Sequence, residues 1–151
     1  MAFYQFKRVQ IIDASLDEVW EFISNPENLK RITPDYMGFD INSEDHPEKM
    51  YAGMIISYCV SPLLGISTTW VTEITQVDAK KYFVDEQRIG PYKLWHHQHH
   101  LEQMEAGIQM TDIVSYRPPF SLIGALANKF IIKRKLNEIF DHRSKVLKAI
   151  F

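Results

Sequence analysis

Residues 122–151 read LIGALANKFIIKRKLNEIFDHRSKVLKAIF, the longest periodic run in the chain. Leu122, Ile123, Leu126, Phe130, Ile131, Leu136, Ile139, Phe140, Leu147 and Ile150 recur at three- and four-residue spacing. That period predicts one amphipathic helix of roughly 25–30 residues, long for a globular domain. Its outward face is expected to carry Lys133, Arg134, Lys135, Asp141, Arg143, Lys145 and Lys148. A helix of this kind must bury its apolar stripe against something, and the rest of the sequence supplies a sheet.

The pattern from Gly38 to Tyr116 is strands and turns. Expected strands are 3–12, 38–43, 51–60, 67–77, 81–88, 93–104 and 108–117, rich in aromatic and β-branched residues. The links are short: Ser61-Pro62-Leu63-Leu64-Gly65, Asp78-Ala79-Lys80, Ile89-Gly90-Pro91-Tyr92 and Glu105-Ala106-Gly107. Short links between successive strands imply an antiparallel meander.

Two short helices interrupt the chain after the first strand. Ser15-Leu16-Asp17-Glu18 is a capping box, followed by the apolar face Val19, Trp20, Phe22 and Ile23. Asn25-Pro26 stops that helix, and Pro26 opens a second over 26–32 with Leu29 and Ile32 inward. The expected fold is therefore α+β: a curved seven-stranded antiparallel sheet gripping a long C-terminal helix. A twisted sheet wrapped on one helix is not filled at its wide end, where the short helices sit, so an apolar cavity is expected there.

The chain has 151 residues, fitting one domain over 1–151, with a net charge of −2 and no basic footprint for nucleic acid. Cys59 is the only cysteine, so no internal disulfide forms, and its apolar strand neighbours predict a buried, inert thiol. Lys7 and Arg8 are not followed by a long apolar run, so neither a signal peptide nor a membrane span is expected. The chain reads as cytoplasmic.

Asp13-Ala14-Ser15, Glu18-Val19-Trp20-Glu21-Phe22 and Asn25-Pro26-Glu27-Asn28-Leu29 resemble the first helices of the START-like or SRPBCC superfamily. Phe83-Val84-Asp85-Glu86-Gln87, the run from Gly90 to His97, and the run from Met110 to Tyr116 are similar to a bacterial ligand-binding subgroup of its polyketide cyclase/dehydrase-like branch. The resemblance covers essentially the whole chain. It implies the helix-grip fold and a function among binders, transporters and a few enzymes. It carries over no catalytic motif.

The least ordinary string is Trp95-His96-His97-Gln98-His99-His100, with four of the six histidines. Strand alternation puts Trp95, His97, His99 and Leu101 on one face, and His96, Gln98 and His100 on the other. If Glu105-Ala106-Gly107 closes a hairpin, Asp112 lies opposite His99 on that first face. A His-x-His pair joined by a carboxylate such as Asp112 has the donors for zinc, but the commoner role is a satisfied polar contact, and no metal or cofactor is assigned. Asp85 with Gln87, or Glu86 alone, faces inward. An inward carboxylate could act as acid or base.

Trp70, Gln87, Trp95, His97, His99, Asp112, Tyr116, Phe120, Leu126 and Phe130 are the expected ligand-binding residues, and His97, His99, Asp112 and Asp85 the catalytic candidates. Met37, Met50, Met54, Met104 and Met110 offer an adaptable wall. Apolar residues in 61–66 and 118–122 suit a lid over the cavity or a homodimer patch. The first reading is carriage of a small hydrophobic molecule such as a lipid, an aromatic or a polyketide-like compound. Alternatives are a cyclase/dehydratase-type enzyme and an interaction module with a vestigial cavity. No phosphate-cradling loop, nucleophile elbow or His-Glu-x-x-His string is present.

Overall fold

A computed structural model describes residues 3–42, 47–61, 65–119 and 128–151. The elements are β1 (Tyr4–Ile12), α1 (Leu16–Ile23), α2 (Glu27–Arg31), a 3-10 turn (Asp35–Met37), β2 (Asp40–Ile41), β3 (Ile55–Val60), β4 (Thr68–Asp78), β5 (Tyr82–Ile89), β6 (Leu94–Met104) and β7 (Gly107–Arg117). A π-helical turn (Asn128–Ile132) then runs into α3 (Lys133–Ile150). All seven strands form one antiparallel sheet in the order β1-β7-β6-β5-β4-β3-β2. Strands β2 to β7 follow the chain in sequence. β1 joins the far edge through β7, with Arg8 opposite Asp112.

Alternation explains which face is covered. Ile56, Tyr58 and Val60 of β3, His97, His99 and Leu101 of β6, and Ile108, Met110, Asp112 and Val114 of β7 all turn inward. Helix α3 lays Leu136, Phe140, Arg143 and Leu147 on that face, with Ile132 just ahead of them. The rings of Phe6 and Phe140 lie 4.9 Å apart where β1 meets α3. Register shifts between β4 and β5, at Val71/Thr72 and Ile74/Gln76, bend the sheet around the helix. Gly107 turns the β6–β7 hairpin at φ +119°, and a side chain there would strike the carbonyl of Ile12.

The capping box is present as the sequence predicts. The Glu18 amide donates to Ser15 Oγ at 3.3 Å, and the Ser15 amide donates to Glu18 Oε2 at 2.9 Å. Ser15→Ala is expected to cost about 1 kcal/mol. For a chain of this size that lowers the melting temperature by roughly 2–4 °C, readable by circular dichroism.

Several expectations are corrected. Strand 38–43 shortens to Asp40–Ile41, and strand 51–60 begins only at Ile55 because Gly53, at φ +98°, turns the chain first. Cys59 is half-buried rather than buried: Tyr58 and Val60 point inward, so Cys59 points outward, its Sγ 2.8 Å from Ser67 Oγ. Phe130 is 65% exposed and Ile131 37% exposed, because the π-helical turn takes them off the stripe that α3 continues. Arg143 is 7% exposed and belongs to the buried stripe, not the outer face. Phe120, Leu122, Ile123 and Leu126 lie outside the described residues, as do Pro62, Leu63 and Leu64 of the apolar link before β4. Among the described residues, no helix is long and apolar enough to cross a membrane.

Candidate functional site

The inner surface of the sheet is not filled where α1 and α2 cross its end. Phe22, Ile23, Pro26, Leu29 and Ile32 form one wall of a cavity of about 120 Å³. Ile56, Tyr58, Ile74, Phe83, Trp95 and Met110 form the facing wall from the sheet, and Phe39, Ile41 and Met50 contribute from the segment around β2. The lining is mostly apolar. Its polar members include Asp85, His97, His99 and Arg143, which gather on one side as a floor.

Strand register builds that floor. His97 and His99 are two apart on β6 and face inward together. Asp85 of β5 is directly opposite His97, and Asp112 of β7 directly opposite His99. The imidazole centroids of His97 and His99 are 3.7 Å apart, and Phe83 stacks on His99 at 4.0 Å. His97 Nε2–H donates to Asp112 Oδ1 at 2.9 Å, and His99 Nδ1 lies 3.0 Å from the same oxygen. His99 Nε2–H donates to Asp85 Oδ2 at 2.8 Å. Arg143, arriving from α3, places a guanidinium nitrogen 3.4 Å from Asp112 Oδ1. Its own Nε is buried with no hydrogen-bond partner among the described residues.

These contacts assign the charges. Burial would lower the pKa of His99, but its two carboxylate partners outweigh that and raise it, favouring an imidazolium held between anions. Burial lowers His97 to about 4, with the positive His99 adding to the effect, so His97 is neutral. Burial opposes ionisation of Asp85 and Asp112. The hydrogen bond from His99 to Asp85, and those from His97 and His99 to Asp112, still hold both carboxyls below the usual range. Two carboxylates, one imidazolium and one guanidinium leave the floor balanced, which is the condition for keeping charge out of water. Nearby, Trp70 Nε1–H donates to Thr72 Oγ1 at 3.2 Å, and the Tyr58 hydroxyl is 3.1 Å from that oxygen.

Of the residues singled out from sequence, the fold brings Asp85, Trp95, His97 and His99 to the cavity surface. Asp112 sits behind the two histidines, 1% exposed, as their shared acceptor. Gln87 is elsewhere: its side-chain amide clamps the backbone of Tyr92, donating to its carbonyl at 2.7 Å and accepting from its amide at 3.1 Å. Trp70 and Tyr116 pack in an aromatic cluster with Tyr92 and Trp95; neither lines this cavity, while Trp70, Tyr92 and Trp95 border a second, smaller one of about 50 Å³ against Leu136 and Ile139. Met50 and Met110 line the cavity, Met37 and Met54 are buried outside it, and Met104 is exposed near the β6–β7 turn. The residue missed is Arg143. Its signal is its place in the 136, 140, 143, 147 series, which outranks its charge.

A family model described as polyketide cyclase / dehydrase and lipid transport matches residues 12–141. Among solved structures, a protein from Arthrobacter aurescens matches with a TM-score of 0.73 at 16% identity, covering 96% of this chain and 86% of that one. A protein from Thermus thermophilus matches at 0.69 and 15% identity, covering 98% and 95%. A major latex-like protein from Panax ginseng matches at 0.68 and 12% identity, covering 97% and 96%. At these identities the likenesses speak for the fold alone. Comparison with curated proteins found no match.

Proposed function

This chain belongs to the polyketide cyclase / dehydrase and lipid transport family, and we propose that it binds a small hydrophobic molecule with one polar end. The observation that carries this reading is the cavity itself, mostly apolar on its walls, with its titratable groups Asp85, His97, His99 and Arg143 gathered on one side. Apolar walls supply affinity without direction, and a few placed polar groups orient the guest.

Size sets the scale of that affinity. An engineered apolar cavity of roughly 150 Å³ accepts benzene, so about 120 Å³ suits a single ring. Burying roughly 150 Å² of aromatic surface at about 25 cal/mol per Å² is worth at most about 4 kcal/mol, a Kd near 1 mM. Tighter binding requires contacts to the polar floor, or movement of α1 and α2 to admit a larger guest.

The acid–base alternative has its residues in place but not tuned. A histidine with a pKa of about 4 is a weak base near neutrality, and Asp85 is held ionised by its histidine neighbours. Binding is therefore the reading preferred over turnover.

Native mass spectrometry of protein from its own host should reveal a copurified organic molecule. In vitro, titration with indole, followed by NMR, should shift amide signals of Leu29 and Ile74 saturably at millimolar concentrations. Leu29→Trp, which fills the cavity from the α2 wall, should weaken indole binding at least roughly tenfold. Absence of any saturable shift would remove the proposal.

A further inference from the structure

We propose that Asp85, His97 and His99 form a binding site for one first-row divalent metal ion, zinc by donor preference, on the polar floor of the cavity. One ligand atom from each of the three lies within 4.8 Å of the others. Asp85 Oδ2 is 3.6 Å from His97 Nδ1 and 2.8 Å from His99 Nε2. Two ligands on a tetrahedral zinc stand about 3.3 Å apart. The His97 edge already has that spacing, and the His99 edge needs to open by roughly half an ångström.

The arrangement behind these atoms separates a metal site from an ordinary His–Asp contact. The far nitrogens of both rings meet one oxygen of Asp112, at 2.9 and 3.0 Å, and Arg143 backs that carboxylate. Ligating histidines are held in this way: the outer nitrogen is fixed by a carboxylate, which sets the tautomer and turns the inner nitrogen toward the ion.

His97 adds an independent observation. With Nε2–H committed to Asp112, its Nδ1 bears a lone pair, and Asp85 Oδ2 stands 3.6 Å from that atom, beyond hydrogen-bond distance. It faces Asp85 Oδ2, also an acceptor. A cation between them satisfies both. The three side chains stand on β5 and β6, paired strands that hold them more rigidly than loops would.

Two imidazoles with one carboxylate suit zinc and its neighbours, not calcium or magnesium, which prefer oxygen throughout. Uptake displaces the proton that His99 holds toward Asp85. The fourth coordination position opens on the cavity, where water or an oxygen of the guest can fill it. This last point alone rests on the ligand-binding reading. Asp112, the donor expected from sequence, becomes the orienting carboxylate, and Asp85 takes the place of ligand.

The test titrates chelator-treated protein with ZnCl2 by calorimetry, and with Co2+ by visible absorption. One equivalent should bind, with Co2+ bands of low coordination number. His97→Gln and Asp85→Asn should each lower affinity more than roughly a hundredfold, and Asp112→Asn by roughly 10–100-fold. His97→Gln decides the matter if the Asp112 variant does not fold. A double variant of the outer-face histidines, H96Q and H100Q, should bind as the parent does. No saturable uptake, uptake that survives both His97→Gln and Asp85→Asn, or uptake lost with H96Q and H100Q would overturn the proposal. Indole titration of the metal-free protein runs alongside. Saturable indole binding together with no zinc uptake in the calorimetry overturns this site alone, and zinc uptake together with no indole binding overturns the cavity reading alone.

Discussion

Asp112→Asn is expected to destabilise the metal-free protein by about 3–5 kcal/mol at pH 7, the usual cost of breaking a buried ion pair from one side. The side chain keeps its shape and loses its charge. Asp112 is 1% exposed and is the shared partner of His97, His99 and Arg143. Without its charge, the Arg143 guanidinium and the His99 imidazolium face only Asp85 for balance. For a chain of this size the melting temperature should fall by roughly 10 °C or more, measured by circular dichroism. Replacing the whole cluster with apolar residues of similar volume should cost far less, because burying charge and leaving it unpaired are different penalties. A drop under about 1 kcal/mol for Asp112→Asn would mean that water reaches the floor and screens it.

Acid should unfold the protein in two stages, the first governed by His97. In the native state its pKa is down to about 4, through burial and then the positive His99. In the unfolded chain it is about 6.5. Below about 6.5 the unfolded state takes up a proton that the native state refuses, so stability falls with pH until about 4, by about 3 kcal/mol in all. His99 works with the opposite sign. Its raised native pKa stabilises fully below about 6.5 and fades as pH climbs through the native value. The lowered Asp85 and Asp112 add stability above about 3.9 that is lost in stronger acid, the second stage. Melting temperatures of chelator-treated protein from pH 4 to pH 8 should therefore decline below about 6.5, and His97→Phe should flatten the decline between 6.5 and 4. Equal melting at pH 7 and pH 4.5 in the parent protein would remove His97 from this role.

Much of this architecture is legible in the chain. The period of two on β6 puts His97 and His99 on one face whatever the sheet does. The short Glu105-Ala106-Gly107 link sets the hairpin register, and with it Asp112 opposite His99. The Ser15 capping box and the Asn25-Pro26 break define α1 from local chemistry alone. The antiparallel meander from β3 to β7 and the covering helix follow from short links and a long apolar stripe, whereas the pairing of β1 with β7, remote in sequence, does not.

The choice between Asp85 and Glu86 is not legible. It depends on parity along β5, and the register shifts between β4 and β5 lie outside anything a local pattern reports. Asp85 turns inward because its strand pairs with β6 at His97, and Glu86 turns outward to His96 Nδ1 at 2.9 Å. Arg143 reads as a solvent residue because charge dominates a reading of residue type. Only the approach of α3 to Asp112 shows a guanidinium placing its charge inside. Trp70 and Tyr116 read as ligand-binding residues for the polar handle on an aromatic ring, and packing sets both in the cluster with Tyr92 and Trp95, where Trp70 borders a second, smaller cavity.

The sequence by itself determined the elements, their order and the facing of the two histidines, since all three arise from spacing along the chain. The tertiary structure alone decided which carboxylate meets the cavity, which cation balances the floor, and how much space the walls leave. Those outcomes depend on distances between elements remote in sequence, where burial and pairing of charge outweigh any preference a residue carries alone.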